Sequence, residues 1–208
     1  MSETMRSDTM PLVVVVDDDE AARVSLVRLL DVAGYTARAY DSGAALLESP
    51  DAAQAACVVT DLQMPGLTGL ELQRALLERG VVVPMVFVTG FGTVSTSVQA
   101  MRDGAVDFLE KPAEPEALLD AVERAIAKRQ TLAARAEVSA EVQRKVELLT
   151  ARERQVFEGV VQGLPNKLIA AQLGIALKTV KVHRGRVMQK MEAQSVADLV
   201  RAAEALGL

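Results

Sequence analysis

The sequence predicts an α/β domain followed by a smaller all-α domain, and three observations predict it. Short β-branched runs such as Leu12 to Val16 and Met85 to Val88 alternate with segments of helical spacing as far as Lys111, beyond which no strand signal recurs. A length of 208 residues suits one domain of ordinary size and a small one. Charge divides the chain in the same way. Residues 1–149 carry 14 Lys/Arg against 23 Asp/Glu, a net of −9, and residues 150–208 carry 9 against 5, a net of +4. An acidic front and a basic rear imply different partners, and a basic domain suits nucleic acid.

In order, Met1 to Met10 is polar and is expected to be disordered. Leu12 to Val16 is continuously apolar and ends in Asp17-Asp18-Asp19-Glu20, which reads as a central strand buried on both faces. Helical spacing follows from Ala21 to Leu30, with Asp19 suited to cap the helix and Gly34 to end it. Tyr35 to Tyr40 reads as a strand, Ala44 to Leu47 as a short helix, and Cys57 to Thr60 as a strand closed by the turn Met64-Pro65-Gly66. Leu67 to Leu77 is helical and stops at Gly80; Met85 to Val88 is a strand; Val94 to Met101 is a helix closed by Gly104; Ala105 to Leu109 is a fifth strand. Strands alternating with helices argue a parallel, doubly wound (βα)5 sheet with helices on both faces. This domain is assigned residues 11–128.

From Glu114 to Leu149 the spacing stays helical, with Leu118, Leu119, Val122, Ala125 and Ile126 on one stripe and Arg129 interrupting it. The last α/β helix is expected to run into a helical linker, residues 129–147, with room for a break near Thr131 or Ser139. If unbroken, that linker could pair with a second copy as a short coiled coil. Residues 148–208 then divide into four short helices. Thr150 and Glu153 form a capping box that opens the first, which runs to about Gln162 and stops at Gly163. Asn166 is expected to cap a second over Lys167 to Leu173, ended by Gly174; the third spans Leu177 to Met191; Ser195 with Asp198 caps the fourth, to about Leu206. A tight Gly turn between the second and third helices matches a helix-turn-helix.

The strand ends carry the chemistry. Asp17 and Asp18 end the first strand, Asp61 the third, Thr89 the fourth, and Glu110-Lys111-Pro112 follow the fifth. Asp61 alone would read as a strand-end turn cap. In a parallel sheet, however, all these ends share the edge where ligands bind. Three carboxylates together repel unless a cation sits between them, and hard oxygen donors without His or Cys favour Mg²⁺. Such a metal could hold a phosphoryl group in line with Asp61, with Lys111 and Thr89 contacting its oxygens.

On the third helix of the basic domain, Val180, His183, Val187 and Met191 are expected to face the core. Lys178, Lys181, Val182, Gly185 and Gln189 lie on the side a major groove would meet, with Lys178, Thr179, Lys181 and Val182 nearest the helix's N-terminus. Arg184, Arg186 and Lys190 flank that side and suit phosphates, as does Lys167 on the second helix.

Composition narrows the remaining classes. Aromatic residues are 3% and Trp is absent, which argues against a surface that stacks bases or sugars. The single Cys57 lies in an expected strand, which excludes an intramolecular disulfide and a Cys-based zinc site and fits a reducing cytoplasm. No signal peptide and no apolar run of membrane-spanning length are read, so a cytoplasmic protein without a membrane partner is expected.

Two resemblances join these readings. VVVVDDDE, VVTDLQMPGLTG, VFVTG and AVDFLEKP resemble the receiver domain of two-component response regulators, which is flavodoxin-like. The resemblance implies Asp61 as phosphoacceptor; Asp17, Asp18, Asp61 and the Gln63 carbonyl as Mg²⁺ ligands; Thr89 as switch hydroxyl; Lys111 as phosphate-binding lysine before a cis Pro112; and Phe108 as switch aromatic. Ala113 departs from the Phe common after that proline. LTARERQVFEGVVQGLPNKLIAAQLGIALKTVKVHRGRVMQKM resembles the LuxR-type DNA-binding domain of the FixJ/NarL family. Here Ala176 stands where Ser or Thr is usual, which removes a side-chain N-cap at a cost of about 1 kcal/mol. Gly185 weakens the helix by roughly 1 kcal/mol relative to Ala.

Together they imply a transcription regulator phosphorylated by a sensor histidine kinase. It would then dimerise and bind double-stranded promoter DNA, with RNA polymerase a further partner. They imply no turnover enzyme. Two alternatives are a phosphatase-like enzyme, which Gln63 opposes where a second catalytic Asp would stand, and a constitutive DNA-binding dimer with an inert front domain.

Overall fold

The computed structural model describes residues 10–90 and 94–208. Apart from Met10, the expected disordered N-terminus lies outside them. The chain forms two compact units, Met1–Thr131 and Leu132–Leu208.

The first unit holds five strands, β1 (Leu12–Val16), β2 (Thr36–Tyr40), β3 (Cys57–Thr60), β4 (Met85–Thr89) and β5 (Asp107–Glu110). All pairings are parallel, in the order β2-β1-β3-β4-β5. Around them lie α1 (Glu20–Val32), α2 (Gly43–Leu47), α3 (Asp51–Gln54), α4 (Gly69–Glu78), α5 (Val94–Arg102) and the start of α6 (Pro115–Glu147). Alternation along β1 explains its unbroken apolar run. Val14 and Val16 face one core with Leu46, Leu72, Leu76 and Phe87, whereas Val13 and Val15 face another with Leu30, Leu118, Val122 and Ala125. Each fully buried Val or Leu contributes about 1.5–3 kcal/mol, so both faces select apolar residues.

Several elements differ from expectation, each for a local reason. β5 begins at Asp107 and not at Ala105, because the Ala105 amide donates to Ala100 O and closes the end of α5. α4 begins after Leu67, where Thr68 and Glu71 form a capping box. α3 was not expected; four residues are too short to show a period, and its buried Asp51 accepts bonds from Arg38 and from the Tyr40 hydroxyl. α6 shows no break at Thr131 or Ser139, and the Thr131 hydroxyl is satisfied within the helix by Ala127 O. Arg129 interrupts the apolar stripe because its guanidinium donates to Ala53 O and Val82 O at the base of the sheet.

The second unit contains the end of α6 with α7 (Ala151–Val161), α8 (Asn166–Leu173), α9 (Leu177–Lys190) and α10 (Val196–Ala205). Its core gathers Val146, Leu149, Val156, Phe157, Ile169, Val180, Val187 and Leu199. The capping boxes at Thr150/Glu153 and Ser195/Asp198 form as expected. Asn166 is a correction: it is the first residue of α8, and Pro165 stands at the N-cap with no side-chain bond. The Asn166 side chain is used elsewhere, accepting from Arg184 at 2.8 Å. Among the described residues no helix is long and apolar enough to cross a membrane.

Candidate functional site

Sheet order brings the expected acidic residues together. β1 and β3 are neighbours, with Val16 opposite Thr60, and Asp61 N donates to Val16 O at 2.9 Å. Asp17 and Asp61 therefore leave the sheet side by side. Asp17 is almost fully buried and Asp18 is exposed. Carboxylate oxygens of Asp17, Asp18 and Asp61 lie within 4.8 Å of one another. Asp19 is drawn away from this group, since its side chain accepts from Ala21 N and Ala22 N and caps α1.

Lys111 reaches the same point from beyond β5. Lys111 N donates to Thr89 O at 2.9 Å, the Lys111-Pro112 peptide is cis, and Nζ lies 2.6 Å from Asp17 Oδ2 and 2.7 Å from Asp61 Oδ2. Partial burial alone would lower the lysine's pKa, but hydrogen bonds and charge from Asp17 and Asp61 outweigh it and leave it raised. The ammonium thus stays charged between two carboxylates. Gln63 N donates to Asp61 Oδ1 at 3.1 Å, so both Asp61 oxygens are held. Thr89 is fully buried at the end of β4. Phe108 is half-buried on β5, its ring stacked on Phe87 at a centroid distance of 6.3 Å. Cys57 lies in the core, where burial pushes its thiol pKa upward and leaves it inert.

Two supporting residues escaped sequence reasoning. Arg23 Nη1 donates to Asp17 O at 2.7 Å and Asp18 O at 3.1 Å, fixing the backbone that aims both carboxylates. The available signal was a cation just over one turn into the helix that follows an acidic loop. Gly69 lies directly beneath the site: a Cβ there would come 2.3 Å from Asp61 O and 2.9 Å from Phe87 Cε1. No local pattern announces that approach, because three chain segments create it.

The donor set fits a hard divalent cation. Carboxylate oxygens from three residues converge, one of them buried, and among the described residues no His or Cys joins the cluster.

On α9, Val180 and Val187 are buried while Lys178, Thr179, Lys181, Val182, Gly185, Arg186 and Gln189 are exposed, as the helical spacing predicts. Lys167 is exposed at the start of α8. Two residues expected at phosphates, Arg184 and Lys190, also make contacts inside the domain. Lys190 Nζ lies 2.6 Å from Glu153 Oε2 and 2.9 Å from Leu148 O, and Arg184 ties α9 to α8 through Asn166. His183 is half-buried, and its Nδ1 has no hydrogen-bond partner. Ala176 stands at the N-cap of α9 with no side-chain bond.

Comparison with known proteins agrees with both halves. The family model for the response regulator receiver domain matches residues 13–123, and that for bacterial regulatory proteins of the luxR family matches residues 147–203. The chain is similar to the transcriptional regulatory protein FixJ of Bradyrhizobium diazoefficiens, 42% identical over 93% of this chain and 95% of that protein. It is also similar to nodulation protein W of the same species, 40% identical over 97% and 89%. Among solved structures, response regulator StyR matches with a TM-score of 0.76 and 41% identity, covering 94% of this chain and 98% of that one. Full-length FixJ from B. japonicum matches at 0.58 and 42%, covering 96% and 98%. The parallel 2-1-3-4-5 sheet with its acidic edge, the helix-turn-helix that follows it in sequence and these relatives make the chain a two-component response regulator of the FixJ/LuxR family, a DNA-binding transcription factor and not a turnover enzyme.

Proposed function

We propose that Asp61 is the residue that accepts the phosphoryl group, with residues 11–128 as the receiver, 129–147 as the linker and 148–208 as the DNA-binding domain. One observation carries the reading: the Lys111 ammonium bridges Asp17 and Asp61 at 2.6 and 2.7 Å, with Asp18 beside them. An Asp61 oxygen attacks phosphorus of a phosphohistidine on a sensor kinase; the new P–O bond forms as the P–N bond breaks, and the leaving imidazole keeps the electron pair and takes a proton. Lys111 leaves Asp61 to pair with a phosphoryl oxygen, and the Thr89 hydroxyl donates to another. Asp17, Asp18, Asp61 and the Gln63 carbonyl would hold Mg²⁺, which would supply positive charge to the transferring group.

A groove of about 500 Å³ opens beside Lys111, lined by Ala22, Leu26, Val88, Pro112 and Ala113 together with Asp19 and Ser25, and offers a largely apolar seat next to the reacting atoms for the kinase. As Thr89 moves toward the phosphoryl group, Phe108 follows into the vacated space, the receivers pair, and two copies of α9 meet half-sites about one helical turn apart on promoter DNA. RNA polymerase at that promoter is the downstream partner. On the DNA face, Lys178, Thr179, Lys181, Val182 and Gln189 contact bases, and Lys167 and Arg186 contact phosphates.

The test has two arms. Asp61→Asn abolishes labelling by acetyl phosphate with Mg²⁺; retained labelling removes the centre of the mechanism. Beryllofluoride with Mg²⁺ shifts the wild-type chain from monomer to dimer on sizing; an unchanged profile means that the receiver does not switch.

A further inference from the structure

α9 carries a glycine that nothing among the described residues requires. Seven of the described glycines adopt positive φ, which explains them. Gly43, Gly69 and Gly159 are kept small by a neighbour, as in α7, where a Cβ on Gly159 would lie 2.9 Å from Ile169 Cγ1, and Gly90 lies in a loop, where a glycine costs no helix. Gly185 has none of these reasons. It sits within α9 without a positive φ, is exposed, and a Cβ added to it would meet nothing within 4 Å among the described residues. Glycine in a helix interior is unfavourable relative to alanine, so the stability of the domain argues for almost any other residue there.

Its position says what it is for. At about 100° per residue, Gly185 projects within about 20° of Lys178 and about 40° of Gln189, with Lys181 and Val182 on either side. Val180 and Val187 lie opposite, in the core. The glycine is therefore at the centre of the exposed face, a gap in a row of longer side chains. A helix with its side chains is about 10–12 Å across and the major groove about 12 Å wide, so whatever projects from the centre of that face limits how deep the axis can sit.

We propose that Gly185 is the point of closest approach between α9 and DNA. Without a side chain, the helix backbone seats against the base edges, and Lys178, Lys181 and Val182 reach bases that a longer residue would hold away. The base pair facing Gly185 is left unread by any side chain. This rests on α9 being the helix that enters the groove.

The experiment uses the full chain with beryllofluoride and Mg²⁺, and as probe the duplex that the wild-type chain enriches from a randomised library. Gly185→Ala and Gly185→Leu raise the melting temperature of the C-terminal transition, since both residues are better helix formers. Both also weaken binding to the duplex in proportion to size, by about fivefold for Ala and about fiftyfold for Leu. A gain in stability paired with a graded loss of affinity is not what a structural role produces. Lys181→Ala is measured alongside. If it weakens binding while the glycine variants bind as wild type, the inference is overturned and the DNA face stands. If Lys181→Ala also binds as wild type, the face itself is wrong and the inference goes with it. Equal losses for Ala and Leu overturn it too, because they indicate helix bending and not close approach.

Discussion

Lys111 Nζ stands 2.7 Å from Asp61 Oδ2 although fifty residues separate them in the chain. The contact exists because β3 and β5 both end at the same edge of the sheet, with only β4 between them. It gives the proposed phosphoacceptor a partner that an incoming phosphoryl group would take over.

Lys111→Gln removes that partner. Labelling of Asp61 by acetyl phosphate is expected to fall about tenfold or more, the scale of losing one charged donor to a transferring group. Mg²⁺ binding, followed by calorimetry, is expected to hold or strengthen, because the acidic cluster loses a competing cation. Weakened Mg²⁺ binding with normal labelling would reverse the assigned role.

Gly69→Ala forces a methyl group against Asp61 O, from which an ideal Cβ is only 2.3 Å. The N-terminal transition is expected to lose about 1–3 kcal/mol, the usual cost of overpacking. Labelling well below the melting temperature should also slow, since the backbone that aims Asp61 has moved. An unchanged melt and unchanged labelling would show that α4 shifts freely.

Glu153 is nearly buried, and the Lys190 ammonium, followed by the Thr150 amide, holds its carboxyl down at about 2 from the usual 4.5. A depressed carboxylate contributes stability above its unfolded pKa and loses it as pH falls through the folded one. Glu153→Gln should therefore lower the C-terminal melting transition at neutral pH by the equivalent of about 1–2 kcal/mol. The gap between variant and wild type should close between about pH 4.5 and 2, the window set by the same shift. A gap independent of pH would assign the effect to packing and not to charge.

Much of the site was legible because it lies at strand ends, where short apolar runs stop abruptly in polar residues. The alternation of strands and helices implied a parallel sheet, and a parallel sheet collects Asp17, Asp61, Thr89 and Lys111 on one edge whatever the details. Asn166 was misplaced for the opposite reason. It suited a local role, the cap of α8, and was claimed by a partner 18 residues away. Local propensity does not register such long-range competition.

By itself, the sequence determined the order of elements, the helical face that α9 exposes and the residue types at the acidic edge, since these follow from periodicity and side-chain chemistry. Only the tertiary structure decided that Lys111 lies between Asp17 and Asp61, that Arg23 grips the acidic loop, and that Gly69 is demanded by Asp61 whereas Gly185 is demanded by nothing within the domain. Those relationships depend on distances between segments remote in the chain, which packing sets and no local pattern encodes.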